Sequence, residues 1–260
     1  MGSKKRRLEA FLKLHPQCCF CGGAVKAATQ DHLPPRSVFV NKLWPDGYVF
    51  PACESCNQGS SEFDSVFAMV SRFDPFVDMS IGQQEESTKL IKAFLENNSD
   101  SLPAMQLSSN EIRRWVKKAN FEKAVGALYK DVPLVRVTKE LNESIKNVST
   151  KLVKALHYKH TGKIIPSDMA LRVRWWSNAE RMAGKFPSEL LETINPALKL
   201  KSGKNSLQDQ FTYGYQVSED GNLGFYVAFF RKAFAVTGFV SFNLDVLNSK
   251  GDLLEYKDKE

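Results

Sequence analysis

The chain has 260 residues, a length that suits one or two domains and allows a hydrophobic core to form without disulfide bonds. Its longest apolar runs, such as residues 224–230, are far shorter than the roughly 20 residues of a membrane-spanning helix, and no signal-peptide segment follows the basic N-terminus. The net charge of +7 is concentrated between residues 100 and 185, where 17 Lys and Arg minus 8 Asp and Glu leave +9. These features predict a cytoplasmic protein that contacts no membrane and binds an anionic partner such as nucleic acid.

The first quarter of the chain predicts a helix followed by a strand, a loop, a second strand and another helix. Residues 4–15 place their apolar side chains on one helical face. Apolar segments at 37–40 and 48–50, separated by turn-forming Pro and Gly residues, predict two short strands. Apolar residues then recur at helical spacing between 61 and 73. We interpret the basic start of the first helix as a solvated helix end, with a phosphate contact or a localisation signal as alternatives.

Two longer helices are predicted beyond residue 75. Ser108 and Glu111 have the spacing of a capping box that opens the first of them. The second keeps apolar residues at helical spacing from Leu141 to Leu156. Three lysines are predicted to project from its opposite side, where they either keep the helix soluble or follow a nucleic-acid backbone: Lys146, Lys151 and Lys154.

Toward the C-terminus the apolar period changes from helical to alternating. Residues 211–217 alternate apolar with polar or small side chains, and the turn sequence Glu-Asp-Gly-Asn follows. Residues 224–230 and 234–242 are the next strands, so a three-stranded antiparallel meander closes the fold. The prediction is an α+β protein with one domain at 1–75 and a helical and β-rich accessory domain at 76–260 that binds substrate or a partner.

The five cysteines all lie in the first quarter of the chain, which excludes a disulfide framework spread along a small secreted domain. Cys18-x-x-Cys21 and Cys53-x-x-Cys56 form two pairs, each able to present two thiolates to one tetrahedral ion. Four thiolates leave no open position for water or substrate, so the predicted ion is one structural zinc per chain. Cys19, between two ligands, cannot face the same ion and is interpreted as a partly buried free thiol.

Polar residues of a different kind lie between and directly after these pairs. Asp31 and His32 lie in the segment between the two cysteine pairs, and Asn57 follows the last cysteine. Because a closed zinc site holds both ends of that segment together, we expect these three side chains to converge. A carboxylate and an amide oxygen are hard ligands suited to Mg²⁺ or Mn²⁺, and the imidazole is a neighbouring base. The alternatives are a turn residue for Asp31, a hydrogen-bonded loop residue for His32 and a helix cap for Asn57.

The order C-x-x-C, D-H, C-x-x-C-N within residues 18–57 resembles the zinc-containing HNH (ββα-metal) endonucleases of the four-cysteine type, including phage endonuclease VII-like nucleases. The longer strings DHLPPR, from Asp31, and PACESCN, from Pro51, are similar to small bacterial HNH proteins, many of which have a helical middle and a β-rich end. The resemblance implies that residues 1–75 form a ββα-metal nuclease domain in a bacterial or phage protein.

The resemblance also implies roles for individual residues. His32 would be the general base that takes a proton from the attacking water, and Asp31 and Asn57 would hold one Mg²⁺ or Mn²⁺ at the scissile phosphate. Products with a 5′-phosphate and a 3′-hydroxyl would follow. Arg36 is expected to contact phosphate, with an ion pair to a local acid as the alternative. The chain departs from the family at Tyr48, where many members have asparagine, and it lacks the helix histidine that many relatives use as a ligand.

The prediction is therefore an HNH endonuclease acting on nucleic acid, DNA more than RNA, alone, as a homodimer or in an effector complex. One alternative is a non-catalytic, zinc-stabilised nucleic-acid-binding or protein-binding module in which the Asp-His pair is inert. Another is the effector of a toxin or phage-defence system, silent until its partner arrives. Only the endonuclease needs Asp31, His32 and Asn57 together. The remaining histidines show no partner pattern and are predicted to be surface or interface residues: His15, His157 and His160.

Overall fold

The structure, a computed structural model, describes residues 3–59, 61–72, 102–120, 128–129, 134–196 and 200–243, with scattered positions between 85 and 96. Over these residues the fold is α+β, as predicted, with most of the helices preceding a C-terminal antiparallel sheet. The predicted domain boundary at residue 75 lies outside the described residues.

The N-terminal part is built on a small β-hairpin. Helix α1 (Ser3–Leu14) precedes strands β1 (Thr29–His32) and β2 (Val49–Ala52), which pair antiparallel. Two helices follow the hairpin directly: α2 (Glu54–Gln58) and α3 (Ser61–Val70). Two strands followed by a helix is the order predicted for this part of the chain.

The predicted strand at 37–40 is wrong. This stretch contains two 3-10 turns, Arg36–Val38 and Val40–Lys42. Two prolines precede it, and the N–H of Val38 donates to the carbonyl of Pro35 at 3.0 Å, which closes a turn instead of pairing with a strand. The partner of β2 is β1, whose sequence Thr-Gln-Asp-His has no apolar run to mark it as a strand.

The predicted helices beyond residue 75 are confirmed where the chain is described. After the short α4 (Leu102–Met105), α5 (Ser109–Lys118) opens with the predicted capping box between Ser108 and Glu111. The long α6 (Lys139–Thr161) ends at Gly162, which takes the left-handed conformation that terminates helices (φ 71°). Among the described helices, none combines the length and the apolar character that crossing a bilayer requires.

The remaining elements follow α6 in the order β3 (Ala170–Ser177), α7 (Asn178–Met182), β4 (Asn195–Pro196), β5 (Lys201–Ser202), β6 (Asn205–Ser206), β7 (Phe211–Val217), β8 (Leu223–Phe230) and β9 (Phe234–Ser241). Strands β5 and β6 form a small hairpin of their own. The others make a five-stranded sheet in the order β3-β9-β8-β7-β4. The predicted meander is β7, β8 and β9, and it is confirmed; β3 and β4 extend it at the two edges.

Helix α6 connects the two parts of the described chain. It packs against α3 on one side and against β3, β8 and β9 on another. Gly238 of β9 permits close approach of the helix, because a Cβ atom there would lie 2.3 Å from Cγ2 of Val153. One hydrophobic core contains Phe50 of the hairpin, Phe67 of α3 and Phe234 of the sheet. The hairpin region and the C-terminal sheet are therefore stabilised by the same core.

Replacing Gly238 with alanine is expected to destabilise the protein by about 1–3 kcal/mol, because the added methyl group overlaps the side chain of Val153 in a closely packed interior. Urea unfolding measures the change. Adding Val153→Ala should recover part of the loss, since the two substitutions act on one contact. Gly238→Ala with unchanged stability would contradict the close helix–sheet packing.

Candidate metal centre

The two cysteine pairs come together as predicted. Their Sγ atoms lie within 4.8 Å of one another, a spacing at which they could hold a metal ion such as zinc: Cys18, Cys21, Cys53 and Cys56. The hairpin positions both pairs, since the N–H of Cys19 donates to the carbonyl of Pro51 in β2 at 3.0 Å. Gly22 and Gly23 take positive φ angles that allow the tight turn after the first pair.

Ionisation of these thiols differs from one to the next. Burial opposes ionisation of Cys53, but hydrogen bonds from the Ser55 hydroxyl at 3.3 Å and from Cys56 outweigh it and lower the pKa of Cys53 to about 6. Burial raises the pKa of Cys56 to about 12. These hydrogen bonds therefore favour the thiolate form of Cys53, and the charge of a bound metal would deprotonate the remaining thiols.

Cys19 is separate from this group. Its side chain is 1% exposed, more buried than predicted, and burial raises the pKa of its thiol above the ordinary range. A buried neutral thiol is unreactive. Cys19 therefore packs in the hydrophobic core, which agrees with its interpretation as a free thiol that does not bind the metal.

Asp31 forms an ion pair with Lys151, which was predicted to lie on the solvent side of its helix. Its carboxylate, 6% exposed, lies 2.5 Å from Nζ of Lys151, which also donates to the carbonyl of Cys56 at 3.0 Å. The prediction that Lys151 and Lys154 project away from the core is wrong: Lys151 is buried, and half-buried Lys154 donates to the carbonyl of Phe20 at 2.7 Å. A buried carboxylate requires such a partner. Of the three lysines in this prediction, Lys146 alone is exposed as predicted.

Asp64, on α3, adds a second carboxyl group to this environment. Burial and the charge of Asp31 raise its pKa to about 7, and the ammonium of Lys151 only partly offsets them. Asp64 was not among the predicted site residues, and Lys151 was predicted to lie on the solvent side of its helix. Asp64 lies within the apolar stripe of α3, next to Phe63, and an acid in that position is the one signal that could have drawn attention to it.

Replacing Asp64 with asparagine is expected to stabilise the protein increasingly as the pH rises. Since folding raises the pKa of Asp64 from 3.8 to about 7, its protonated form is favoured in the folded state, and stability is lost between those two pH values. The advantage of the variant should grow by up to about 1.4 kcal/mol per pH unit in that window and stay constant above it. Urea unfolding from pH 4 to pH 8 tests this, with Glu62→Gln as an exposed control on the same helix. A pH-independent difference would contradict the assignment.

The side chain of Asn57 contacts strand β1. Its amide nitrogen donates to the Thr29 hydroxyl at 2.6 Å and to the carbonyl of Gln30 at 3.4 Å, so it ties α2 to β1. Thr29 and Asp31 are two residues apart on β1 and therefore share one face of the strand. These contacts bring Asn57 to the strand that contains Asp31. His32, the third residue expected to converge there, lies on the opposite face of that strand.

His32 lies on the other face of β1, as strand alternation requires. Its ring meets the edge of Trp44 at a centroid distance of 4.9 Å, and the guanidinium of Arg36 lies 3.9 Å above the Trp44 ring. Burial first and Arg36 second lower the pKa of His32, and Asp31 opposes them. The imidazole is therefore neutral at neutral pH. Arg36 is exposed, stacked on an indole and available to an anion.

Tyr48 directly precedes strand β2. It is buried, and its hydroxyl lies 2.6 Å from that of Tyr213 on β7, which in turn lies 2.9 Å from Nε2 of His160. The carbonyl of Tyr48 accepts from the N–H of Leu33 at 3.4 Å. Tyr48 thus fastens the segment after His32 to the C-terminal sheet.

The prediction that the other three histidines lie at the surface or an interface is wrong for His157, which is buried. His15 and His160 are half-buried. His157 is 0% exposed and lies 3.0 Å from the Tyr226 hydroxyl. His160 stacks on Tyr215 with ring centroids 3.6 Å apart, and His15 lies 2.7 Å from the Tyr158 hydroxyl. Each therefore has an aromatic partner from a distant part of the chain.

A cleft of about 1350 Å³ opens beside the metal centre, between α3 and α6. Its lining includes Cys56 and side chains of both charges: Lys146, Lys151 and Lys154 with Glu140 and Glu143 on α6, and Glu62 on α3. The lysine that bonds Asp31 therefore also faces an open space.

The donor types around Asp31 suit a hard divalent cation, since carboxyl and amide oxygens are the usual ligands of Mg²⁺. The arrangement as it stands does not hold one, because the carboxylate of Asp31 is already bonded to the ammonium of Lys151. Comparisons with protein-family models, curated proteins and solved structures found no match to this chain. The residues of the site are therefore the basis for its function.

Proposed function

We propose that this chain is a metal-dependent HNH-type endonuclease that hydrolyses phosphodiester bonds of nucleic acid, with DNA as the preferred substrate. One observation supports the proposal above all others. A β-hairpin and the helix that follows it are joined by four clustered cysteines, and this one unit contains Asp31, His32 and Asn57. A module that needs only a stabilising metal has no use for those three residues.

Two metals with separate tasks belong to the proposal. Zinc bound by four thiolates has no open position and would stabilise the fold. Mg²⁺ or Mn²⁺ at Asp31 and Asn57 would neutralise the scissile phosphate and stabilise the leaving 3′ oxygen. Asp64 is a further candidate ligand, because its carboxyl group interacts with that of Asp31.

His32 is the general base of the proposal. Its lowered pKa leaves it neutral and able to accept a proton from water at neutral pH. Asp31 and His32 leave β1 on opposite faces, and His32 is the last residue of the strand. The phosphate and the attacking water would therefore lie at this end of β1, where both side chains can reach them and where Arg36 is exposed.

The experiment that tests the proposal offers the zinc-loaded protein end-labelled duplex DNA, single-stranded DNA and RNA, with Mg²⁺ or Mn²⁺ and with chelator. Cleavage of DNA that requires the cation and leaves a 5′-phosphate and a 3′-hydroxyl is expected. Binding should weaken as salt rises, because phosphate contacts release counterions. Products with a 3′-phosphate, or cleavage unaffected by chelator, would contradict the proposed chemistry.

A second candidate function is a zinc-stabilised nucleic-acid-binding module without catalysis, used alone or as a partner-gated effector. The observation that favours it is the Lys151–Asp31 ion pair, which engages the carboxylate that a catalytic cation would need. Retardation of nucleic acid in a gel without cleavage of any substrate, under all cation conditions, would support this second function and exclude the first for the isolated chain.

A further inference from the structure

We infer that Lys151 is a positioning residue that closes the predicted cation site at Asp31, so that a divalent cation binds there only after Lys151 withdraws. The inference rests on the proposed function, since it concerns the same site. It assigns Lys151 to control of metal binding and not to general stabilisation of the core.

The contacts of the Lys151 ammonium support this. Nζ lies 2.5 Å from Oδ2 of Asp31 and 3.0 Å from the carbonyl of Cys56, the residue before Asn57, and it lies 4.8 Å above the Phe20 ring. The ammonium therefore contacts one expected ligand of the cation, Asp31, and the main-chain carbonyl directly before the other, Asn57. Both side chains of the ion pair are about nine-tenths buried.

An ammonium in this position excludes a second cation. Mg²⁺ binds carboxylate oxygens at about 2.0–2.1 Å, and it would then lie within a few ångströms of a buried positive charge. The positive charge on Nζ neutralises the Asp31 carboxylate, as a bound metal ion would. Tight metal binding is thus expected only in the fraction of molecules in which Lys151 has moved.

The cleft between α3 and α6 gives Lys151 a place to move to. Lys151 lines this space of about 1350 Å³, and a lysine side chain has a flexible stem of four carbons. A substrate phosphate in the cleft would offer the ammonium another anion. Entry of substrate would then release Asp31 to the cation, which couples metal binding to the presence of nucleic acid.

The test is a titration of the zinc-loaded protein with Mn²⁺, in which free Mn²⁺ is followed by electron paramagnetic resonance without any substrate. Lys151→Met is expected to bind Mn²⁺ at least about tenfold more tightly than the wild type, because the closed state is removed. Lys146→Met, an exposed lysine of the same helix and cleft, is the matched control and should behave as the wild type. Adding Asp31→Asn to Lys151→Met should abolish the gain.

Equal Mn²⁺ affinity of Lys151→Met and the wild type would overturn the inference, as would a gain that survives Asp31→Asn. If Lys151→Met does not fold alone, folding restored by Mn²⁺ supports the inference. Failure of both Lys151→Met and Lys151→Gln to fold in excess Mn²⁺ would overturn it, since the cation should then replace the ammonium. The readout is independent of cleavage: tighter binding without any nuclease activity would refute the proposed function and leave the inference standing.

Discussion

Replacing Cys53 with serine is expected to remove the bound metal and to unfold the N-terminal hairpin. Structural zinc contributes roughly 10–16 kcal/mol in small zinc-binding peptides, which is comparable to the roughly 5–15 kcal/mol that stabilises a whole domain. Cys53 and Cys18 are also part of the main hydrophobic core, so the damage should extend beyond the hairpin. Elemental analysis would measure the metal, and thermal unfolding followed by circular dichroism would measure stability.

Cys19→Ala is the matched control for this prediction. Cys19 is as buried as Cys18 but lies outside the group of four, so the variant should keep one zinc per chain. It should lose only about 1–2 kcal/mol for the missing sulfur atom. A wild-type chain that is stably folded without zinc would contradict the structural role of the metal.

Replacing His32 with alanine is expected to slow cleavage of DNA by roughly 10²–10⁴-fold, the usual contribution of a general base. The reason is the loss of a neutral imidazole at the end of β1, where burial and Arg36 keep its pKa low. Because the base form persists to lower pH than usual, wild-type activity should stay on its plateau below pH 6.5 before falling. Initial nicking rates of supercoiled plasmid between pH 5 and pH 8 would measure both effects.

The control for the His32 variant is His15→Ala, which changes a histidine bonded to Tyr158 and not part of β1. It should cleave at the wild-type rate. Loss of activity in His15→Ala equal to that in His32→Ala would indicate that both substitutions act through folding and would remove the case for His32 as the base.

The cysteine group could be predicted from the sequence because the spacing itself fixes which side chains can reach one ion. The same is true of the capping box at Ser108 and of the C-terminal meander, where local patterns determine local structure. The approach of Asn57 to β1 agrees with the same reasoning, since cysteines clustered around one ion would hold α2 against the hairpin.

The features that could not be predicted from the sequence depend on contacts between distant parts of the chain. Strand β1 is polar, so only its pairing with β2 identifies it. Lys151 and Asp31 are 120 positions apart, and helical periodicity alone assigned Lys151 to the solvent side of its helix because it carries no information about this distant carboxylate. Likewise, His157 is buried because Tyr226 from β8 supplies its hydrogen-bond partner. Of the three lysines predicted to project into solvent, Lys146 is exposed, whereas Lys151 is buried and Lys154 half-buried.

The central claim is that Asp31, His32 and Asn57 form a nuclease site beside a structural metal. Its most direct test is nicking of supercoiled plasmid by the zinc-loaded wild type in Mg²⁺ or Mn²⁺, beside the same protein with chelator and beside His32→Ala purified identically. The expected result is nicking by the wild type with the divalent cation and little or none in the other two. Nicking by His32→Ala at the wild-type rate, or none by the wild type on any nucleic acid, would contradict the claim.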